Sequence, residues 1–582
     1  MLDWKSALRS VAKELHLKGR TDGKQNLGQS KPRANVPGDR GARQNAIPPS
    51  QVPRRDLNVS SVAQSGLAAS PSSSGKNIAT PKQRDSVKQA PSSSSSNSRR
   101  QCSKSAIICA SPQRKRAQPV SPVSLDKKFS PPDMKKYRIG HPDCVVSRDR
   151  NWQKVGTELG IGRVQPGKRS LCILGLDFGT AFTKACVRVR DLSYVVHWDK
   201  AVDFSSSFLL PSVFSSLPDG TCVLGVAPGG QAHSDIKMSL LEEPNEENRL
   251  KAVVFIALAT RYVRGWLFDA QRSVVDGFQL EWALNVGLPA ASWDSSAICQ
   301  LYTELAAAGW ELGCVHGPVT FQTSRDVWKS LRNGSGTVRS AQLAPERVHA
   351  FPEFGAQIHS YRSSAQRQRD LHLLVDVGAG TVDIVTFHIG EDEESEEVNC
   401  ILEPLVKTQG THVLLAYRAD AAALVRSTWE DSASRLDAKD FERGYGLASG
   451  TLNSVQEYFS EMLYLSIRKI IHRTKTVRYE TSPAWSQGLP YFLAGGGRRV
   501  DAFRTALQRT GRDRSLLELS LPVPEDVVLG RVKQEEFHRL SVAHGLSYAA
   551  LNLARTLRRA EVPDLRRTTG KAEDYRNRYV EK

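Results

Sequence analysis

Two segments of the chain combine an aspartate, a glycine and a threonine directly after an apolar run. The first is Asp177-Phe178-Gly179-Thr180, and the second, which begins 199 residues later, is Asp376-Val377-Gly378-Ala379-Gly380-Thr381-Val382-Asp383. Glycine permits close backbone approach, and successive amide N–H groups in a tight turn form a concavity that binds anions. Two such turns can wrap the two sides of one polyphosphate.

The residues around each turn predict a hairpin. Leu171 to Leu176 is short and apolar, and the run from Phe182 to Val189 alternates, so the pair is typical of two strands joined at the turn. The second unit repeats this arrangement, which indicates an internal duplication. Apolar residues at helical spacing predict helices over 247–264, 296–312, 409–427 and 453–473. Strands mixed with long helices predict an α/β fold.

A third element follows near the C-terminus. The strand-like run 491–494 leads into Gly495, Gly496 and Gly497, then Arg499, and a helix is predicted from Asp501 to Thr510. A strand that runs into three glycines and then a helix makes it less probable that these glycines serve a turn alone.

The ordered set of these three elements resembles the phosphate-one, phosphate-two and adenosine motifs of the actin, sugar-kinase and seventy-kilodalton heat-shock ATPase superfamily. The closest resemblance is to the nucleotide-binding domain of DnaK-type chaperones. It implies a two-lobed actin-like ATPase fold, a duplicated mixed β-sheet with helices, over 171–556. Lobe I would comprise about 171–370 and 538–556, and lobe II about 371–537.

The resemblance also implies ATP and Mg²⁺ as ligands and a role for each matching residue. Asp177 and Asp376 would hold Mg²⁺ through its waters, and Lys237 would neutralise charge on the γ-phosphoryl group. Glu353, with Asp376 or Asp383, would orient the attacking water. The remaining residues would contact the nucleotide: Gly179, Thr180, Gly378, Ala379, Gly380 and Thr381 at the phosphates, and Gly495, Gly496, Gly497 and Arg499 at the nucleoside.

Each assignment has a structural alternative that the sequence leaves open. The two aspartates could cap turns, Lys237 could lie on the surface, Glu353 could stabilise a helix N-terminus, and the glycines could serve turns alone. The chain also departs from the family: Ala181 stands where chaperones usually have a hydroxyl residue, and Ala379 stands in place of a glycine. Slow, Mg-dependent hydrolysis is therefore expected.

About 26 residues follow the predicted ATPase domain, and the peptide-binding domain and helical lid of DnaK-type chaperones are missing from them. We therefore expect a chaperone-like ATP-binding switch that acts through an unknown protein partner. Two alternatives stay open: an actin-like filament protein, which ATP-dependent light scattering would reveal, and a small-molecule kinase of the same superfamily.

Charge is distributed unevenly along the chain. Residues 1–170 contain 33 basic and 11 acidic side chains, a net charge of +22. Residues 171–582 carry a net charge of −3, which gives the formal +19 of the whole chain. Residues 19–170 are predicted to form a disordered basic Ser/Pro-rich tail, which either binds polyanions weakly or is only a solvated linker. Residues 1–18 predict an amphipathic helix that packs on the chain's own body, a partner protein or an anionic membrane. Residues 557–582 would form a C-terminal tail.

The sequence contains no run of about 20 apolar residues that could span a membrane and no signal peptide, so a cytoplasmic location is expected. The nine cysteines are scattered without a Cys-x-x-Cys pair, which indicates reduced thiols. The acidic run 391–397 predicts an exposed tip between two strands.

Overall fold

The computed structural model describes residues 131–137, 139–140, 149–198, 207–333, 345–392, 396–426 and 428–562. Over these ranges the chain forms a mixed α/β structure, as the sequence predicts. The predicted helix over residues 1–18 lies outside the described residues.

The strands carry the numbering used below. In chain order they are β1 (Ile139–Gly140), β2 (Arg169–Phe178), β3 (Phe182–Val189), β4 (Leu192–Val195), β5 (Leu210–Pro211), β6 (Phe214–Ser216), β7 (Cys222–Leu224), β8 (Gln231–His233), β9 (Gln279–Leu288), β10 (Val348–Pro352), β11 (Asp370–Val377), β12 (Val382–Glu391), β13 (Glu397–Lys407), β14 (Trp429–Glu430), β15 (Leu489–Ala494), β16 (Leu516–Leu519), β17 (Val527–Val528) and β18 (Arg555–Leu557).

The helices are numbered in the same way. They are α1 (Asp149–Val155), α2 (Ile236–Glu242), α3 (Glu246–Ala270), α4 (Arg272–Val275), α5 (Ser296–Cys314), α6 (Phe321–Arg332), α7 (Glu353–Gln357), α8 (His359–Arg362), α9 (Thr411–Ala421), α10 (Asp431–Ser434), α11 (Ala438–Gly444), α12 (Asn453–Arg473), α13 (Ala484–Gln487), α14 (Asp501–Asp513) and α15 (Ser541–Leu546). None of the helices within these ranges is long and apolar enough to cross a bilayer.

Two large sheets repeat one topology. Sheet I has the strand order β10-β9-β2-β3-β4-β17, with β5 added to β3, and sheet II has the order β16-β15-β11-β12-β13-β18. In both sheets the first two strand pairs are parallel, the next two pairs are antiparallel, and the last pair is parallel. The duplication inferred from the two hairpin motifs is thus present in the strand order of both sheets.

Each sheet has its own apolar core. The helix α3 covers sheet I and is buried along most of its length; its N-terminus is capped by Asn245, whose side chain accepts a hydrogen bond from the Asn248 amide. The apolar face of α12 covers sheet II, where Phe459, Leu463 and Ile467 pack against the strand residues. The two clusters fix the positions of the hairpins β2–β3 and β11–β12.

Two short helices pack together beside the first hairpin. The helix α15 lies between β2 and α7: a Cβ atom at Gly175 would lie 2.4 Å from the Ala543 carbonyl oxygen, and one at Gly545 would lie 2.0 Å from the Ala356 carbonyl oxygen. Both contacts require glycine because backbone meets backbone there. Since α7 begins at Glu353 and ends at Gln357, this packing sets where those two side chains lie.

The predicted N-terminal boundary of the folded body, residue 171, is wrong. Residues 149–170 pack on the body: Trp152 of α1 is buried, and its indole Nε1 donates to Asp269 Oδ2 at 2.8 Å. The preceding β1 also pairs with β14. A few buried side chains suffice to anchor such a segment, although its overall composition resembles that of the tail.

Two further predicted boundaries need correction. The strand β17 falls in the range 371–537 assigned to lobe II but pairs with β4 of sheet I, and β18 falls partly in the range assigned to lobe I but pairs with β13 of sheet II. The C-terminal tail does not begin at residue 557, because Leu557 belongs to β18 and is buried. In each case two or three residues join a sheet as an edge strand, which is too short for periodicity to reveal.

The acidic tip is shorter and better paired than predicted. The strands β12 and β13 extend to Glu391 and Glu397, and the Glu397 carboxylate accepts from Arg362 at 2.8 Å and Arg367 at 2.5 Å. The cysteines that the structure describes, which are Cys172, Cys186, Cys222, Cys299, Cys314 and Cys400, are free thiols, as the scattered spacing predicts.

Three buried histidines should each lower the free energy of unfolding as the pH decreases from 7.5 to 5.5, a contribution opposite in sign to that of the buried Asp376 and Asp383. Burial lowers the pKa of His359 to about 3, of His372 to about 4 and of His538 to about 3. Protonation therefore favours the unfolded chain, whose histidine pKa is about 6.5, and stability is full above that value and lost below it. Each histidine should cost about 1.3 kcal/mol over this interval.

Urea unfolding at the two pH values measures this loss. His372→Asn should change the dependence by about one histidine's share, whereas His316→Asn, at a side chain that is 77% exposed, should leave it unchanged. A pH dependence that is the same in all three proteins would contradict the assignment.

Candidate functional site

The first hairpin presents Asp177 together with a lysine. The strand β2 ends directly after Asp177, and in the antiparallel pairing with β3 Asp177 lies opposite Lys184. The Lys184 ammonium donates to Asp177 Oδ2 at 2.7 Å, and both side chains are largely buried. Gly179 makes the turn possible, because a Cβ atom there would lie 2.2 Å from the Phe182 carbonyl oxygen. Lys184 did not emerge from the sequence analysis.

The second hairpin places two carboxylates side by side. Asp376 at the end of β11 lies opposite Asp383 in the β11–β12 register. The turn between them is held by the N-terminus of α9 and the preceding Gly410: the carbonyls of Gly378, Ala379 and Gly380 accept from the amides of residues 411, 412 and 410 at 3.1, 2.9 and 3.2 Å.

This anchoring orients the turn. The carbonyl and the N–H of a trans peptide point in opposite directions, and no described peptide bond is cis. The amides of Ala379, Gly380 and Thr381 therefore point away from α9. Three successive N–H groups with a common orientation form an anion-binding concavity.

The two turns face each other across one cavity. A Cβ atom at Gly380 would lie 3.3 Å from Thr180 Cγ2, so the turns approach to van der Waals distance. The cavity has a volume of about 110 Å³. Its lining includes most of the predicted residues: Asp177, Gly179, Thr180, Lys237, Glu353, Asp376, Gly378, Ala379, Thr381, Asp383, Gly495 and Gly496.

Lys237 and Glu353 form a buried ion pair in this cavity. The Lys237 ammonium donates to Glu353 Oε1 at 2.5 Å, and the two side chains are 7% and 13% exposed. Burial acts to lower the pKa of Lys237, but the Glu353 carboxylate outweighs it, so the pKa lies above its usual range. Lys237 stays charged and is not the surface lysine that its structural alternative supposed. Glu353 is the first residue of α7, so it is also the helix N-terminal acid of its own alternative.

Lys237→Met should lower the free energy of unfolding by about 3 kcal/mol, because it leaves the Glu353 carboxylate buried without a partner. The double variant Lys237→Met/Glu353→Gln should recover most of that loss. Lys251→Met, which removes the more exposed pair with Glu247 on α3, should cost only about 0.5 kcal/mol. Equal losses for Lys237→Met and Lys251→Met in urea unfolding would contradict a buried, desolvated pair.

The two carboxylates of the second hairpin are held in an unfavourable environment. Burial raises the pKa of Asp376 to about 6, against a hydrogen bond from Gln357 that lowers it. Burial and the neighbouring Glu353 and Asp376 carboxylates raise the pKa of Asp383 well above its usual range. Carboxylates that lie close together and are shielded from water have raised pKa values. A cation or a hydrogen-bond donor that enters the cavity would lower these pKa values again.

Gln357 is a further residue of the site that the sequence analysis missed. Its amide Nε2 donates to Asp376 Oδ2 at 2.9 Å, and the side chain is 2% exposed. Its carbonyl Oε1 and Asp383 Oδ1 are buried acceptors that receive no hydrogen bond from the described residues. The only signal in the sequence is the position of Gln357 four residues after Glu353, which places both on one face of α7.

The three predicted nucleoside glycines differ in their surroundings. Gly495 follows β15 with φ = +83°, and a Cβ atom there would lie 2.2 Å from Asp376 Oδ1, so this position needs glycine. Gly496 lines the cavity. Gly497 packs against Val377 and Thr411. Neither Gly497 nor Gly380 lines the cavity.

Arg499 does not line the cavity either. Its side chain is 61% exposed and pairs with Glu536 at 3.5 Å. The guanidinium groups at the cavity are instead those of Arg435, which follows α10, and Arg539, with His538 and Asp431 beside them. Burial and the nearby Arg435 lower the pKa of Arg539 to about 10. The cavity thus has an acidic end at Asp376 and Asp383 and a cationic end at these arginines.

The described residues contain no group of three His, Cys, Asp or Glu side chains arranged to hold a metal ion directly. A cation held through its waters needs acceptors at a distance rather than direct ligands. The carboxylates of Asp177 and Asp376, which both line the cavity and come from different hairpins, fit that second arrangement.

The chain matches no protein-family model, and a search of curated proteins finds no similar sequence. The geometry of the cavity therefore carries the functional argument.

Proposed function

We propose that this chain binds Mg-ATP in the cavity between the two hairpin turns and hydrolyses it slowly, as a chaperone-like switch with a two-lobed, actin-like ATPase fold. One observation carries the proposal: two turns from distant parts of the chain, a buried Lys–Glu pair and two crowded aspartates all line one cavity. The repeated order of sheets I and II supports the two-lobed fold.

The oriented amides of Ala379, Gly380 and Thr381 would bind phosphate oxygens, and Lys184 and Lys237 would balance phosphate charge. The buried acceptors Gln357 Oε1 and Asp383 Oδ1 would accept from the attacking water, and Glu353 would hold it in line. Mg²⁺ would be held through its waters by Asp177 and Asp376, and it would supply positive charge against the triphosphate. The cationic end with Arg435 and Arg539 would receive the nucleoside.

A cytoplasmic location stays part of the proposal, and the free thiols among the described residues are compatible with it. Partner binding by the N-terminal helix and weak polyanion binding by the basic tail stay proposals of the same kind.

Titration calorimetry with the full chain tests nucleotide binding. Mg-ATP should bind, and ATP in EDTA should bind much more weakly, because Asp177, Glu353, Asp376 and Asp383 repel an uncompensated triphosphate. Phosphate release would then measure turnover. A folded protein that shows no heat of binding with Mg-ATP or Mg-ADP at millimolar concentration would overturn the proposal.

A further inference from the structure

A short segment ahead of α1, which contains a 3-10 turn at Met134–Lys136 and the strand β1, packs on β14 and α9. This segment, here called the strap, comprises the described residues 131–137 and 139–140. Its β1 pairs in parallel with β14, with Ile139 opposite Trp429. In the chain, the strap lies between the basic N-terminal residues and α1.

The strap is attached to α9 as well as to β14. Tyr137 donates from its hydroxyl to the Asp420 carboxylate near the C-terminal end of α9. Tyr137 and Ile139 also pack on an apolar cluster that includes Leu415 and Ala419 of α9. Two side chains of the strap therefore hold the C-terminal half of this helix.

The opposite end of α9 holds the second hairpin turn. Thr411 and His412 donate their amides to the carbonyls of Gly378 and Ala379. Thr411 and Asp420 are nine residues apart on this helix, so about 13 Å of helical backbone joins the Tyr137 contact to the turn.

A second connection runs through β14. Asp431 follows β14 directly and lines the cavity; its Oδ1 is hydrogen-bonded to His412 Nε2 at 2.9 Å, and its Oδ2 forms an ion pair with Arg435 at 3.0 Å. Strap pairing with β14 thus bears on a cavity residue that is itself bonded to the first turn of α9. Both connections end at the same place, the N-terminus of α9 under the turn 378–380.

We propose that docking of the strap and the state of the second hairpin turn are coupled through α9 and β14, so that the strap regulates the site and the site regulates the strap. The ligand part rests on the proposed function; the structural coupling does not. Because coupling between two sites is reciprocal, ligand bound at the turn must change strap docking by the same factor as docking changes ligand affinity. A partner that pulls the strap from the body would alter the cavity.

Hydrogen exchange on the full chain without nucleotide tests the coupling. Ile139→Asp removes an apolar contact of the strap and should leave the core intact, since Ile139 is only half-buried. We expect the amides of 410–413, together with those of 377–382, to exchange at least about fivefold faster. Met134→Asp, on the same segment at an exposed side chain, is the matched control and should change neither.

Asp420→Ala provides a second variant, since it removes the acceptor of the Tyr137 hydroxyl and should accelerate the same amides. If Ile139→Asp and Asp420→Ala free the strap, as faster exchange at 139–140 would show, while 410–413 and 377–382 exchange as in the wild type, the coupling is wrong. If the coupling holds, Mg-ATP at saturation should slow exchange at 139–140 in the wild type. If the wild-type protein binds no Mg-ATP while both variants show faster exchange at 410–413 and 377–382, the proposed function is overturned and the coupling stands.

Discussion

Asp376→Asn should reduce the proposed Mg-ATP turnover by about 10²–10³-fold while making the folded body more stable. The loss of activity follows from removing one well-placed charge from a water-excluded site. The gain in stability follows from the raised pKa: burial makes the ionised Asp376 carboxylate unfavourable in the fold, so the neutral amide removes a cost of about 1–3 kcal/mol at pH 7. Function and stability thus move in opposite directions at this residue.

Phosphate release and urea unfolding measured on one preparation decide this prediction. Asp392→Asn, which removes a carboxylate near the tip of the β12–β13 hairpin, is the control and should change neither quantity by more than a small factor. Turnover above half the wild-type rate would show that Asp376 has been given the wrong role. A variant that is both inactive and less stable would show instead that the carboxylate serves the fold.

The sequence could predict those parts of the site that lie within a few residues of one another. Asp177 and Asp376 follow apolar strands and precede small residues, so local pattern alone indicates two hairpins with carboxylates at their turns. Lys237 and Glu353 required the resemblance, because nothing in their neighbourhood distinguishes them from surface residues. Their buried ion pair depends on α2 and α7 meeting at the cavity, which is a long-range contact.

The sequence could not predict that Arg435 and Arg539 line the cavity, because this too depends on long-range contacts. Asp431 and Arg435 lie in a polar stretch that has no clear period, and Arg539 lies in a short 3-10 turn. The resemblance implies Arg499 in their place, at the residue that matches the family's pattern after the glycines. The match misled there, since the side chain turns outward to Glu536.

Composition alone does not reveal where the folded body begins, and the reason is of a different kind. Composition averages over many residues, and the first 170 are basic and poor in apolar side chains. Docking needs only a few good contacts, such as those of Trp152, Tyr137 and Ile139. A segment can therefore have the composition of a linker and still pack on the body.

Gly545→Ala should destabilise the protein by about 3 kcal/mol or more, which makes it the largest expected effect on the fold. The added Cβ would lie 2.0 Å from the Ala356 carbonyl oxygen, and the obstacle is backbone, which cannot rotate away. Relief requires α15 to move from α7, but α15 also packs closely on sheet I, where even a Cβ atom at Gly175 would lie only 2.4 Å from the Ala543 carbonyl oxygen. The strain has no free direction in which to relax.

Gly444→Ala is the matched control, because a Cβ atom there meets nothing within 4 Å; it should leave stability unchanged or raise it by about 0.5 kcal/mol. Urea unfolding of the two variants gives the comparison. A Gly545→Ala protein within 1 kcal/mol of the wild type would mean that α7 shifts freely against α15. That outcome would also undermine the site, because α7 places Glu353 against Lys237 and Gln357 against Asp376, and both contacts depend on a helix that is held in one position.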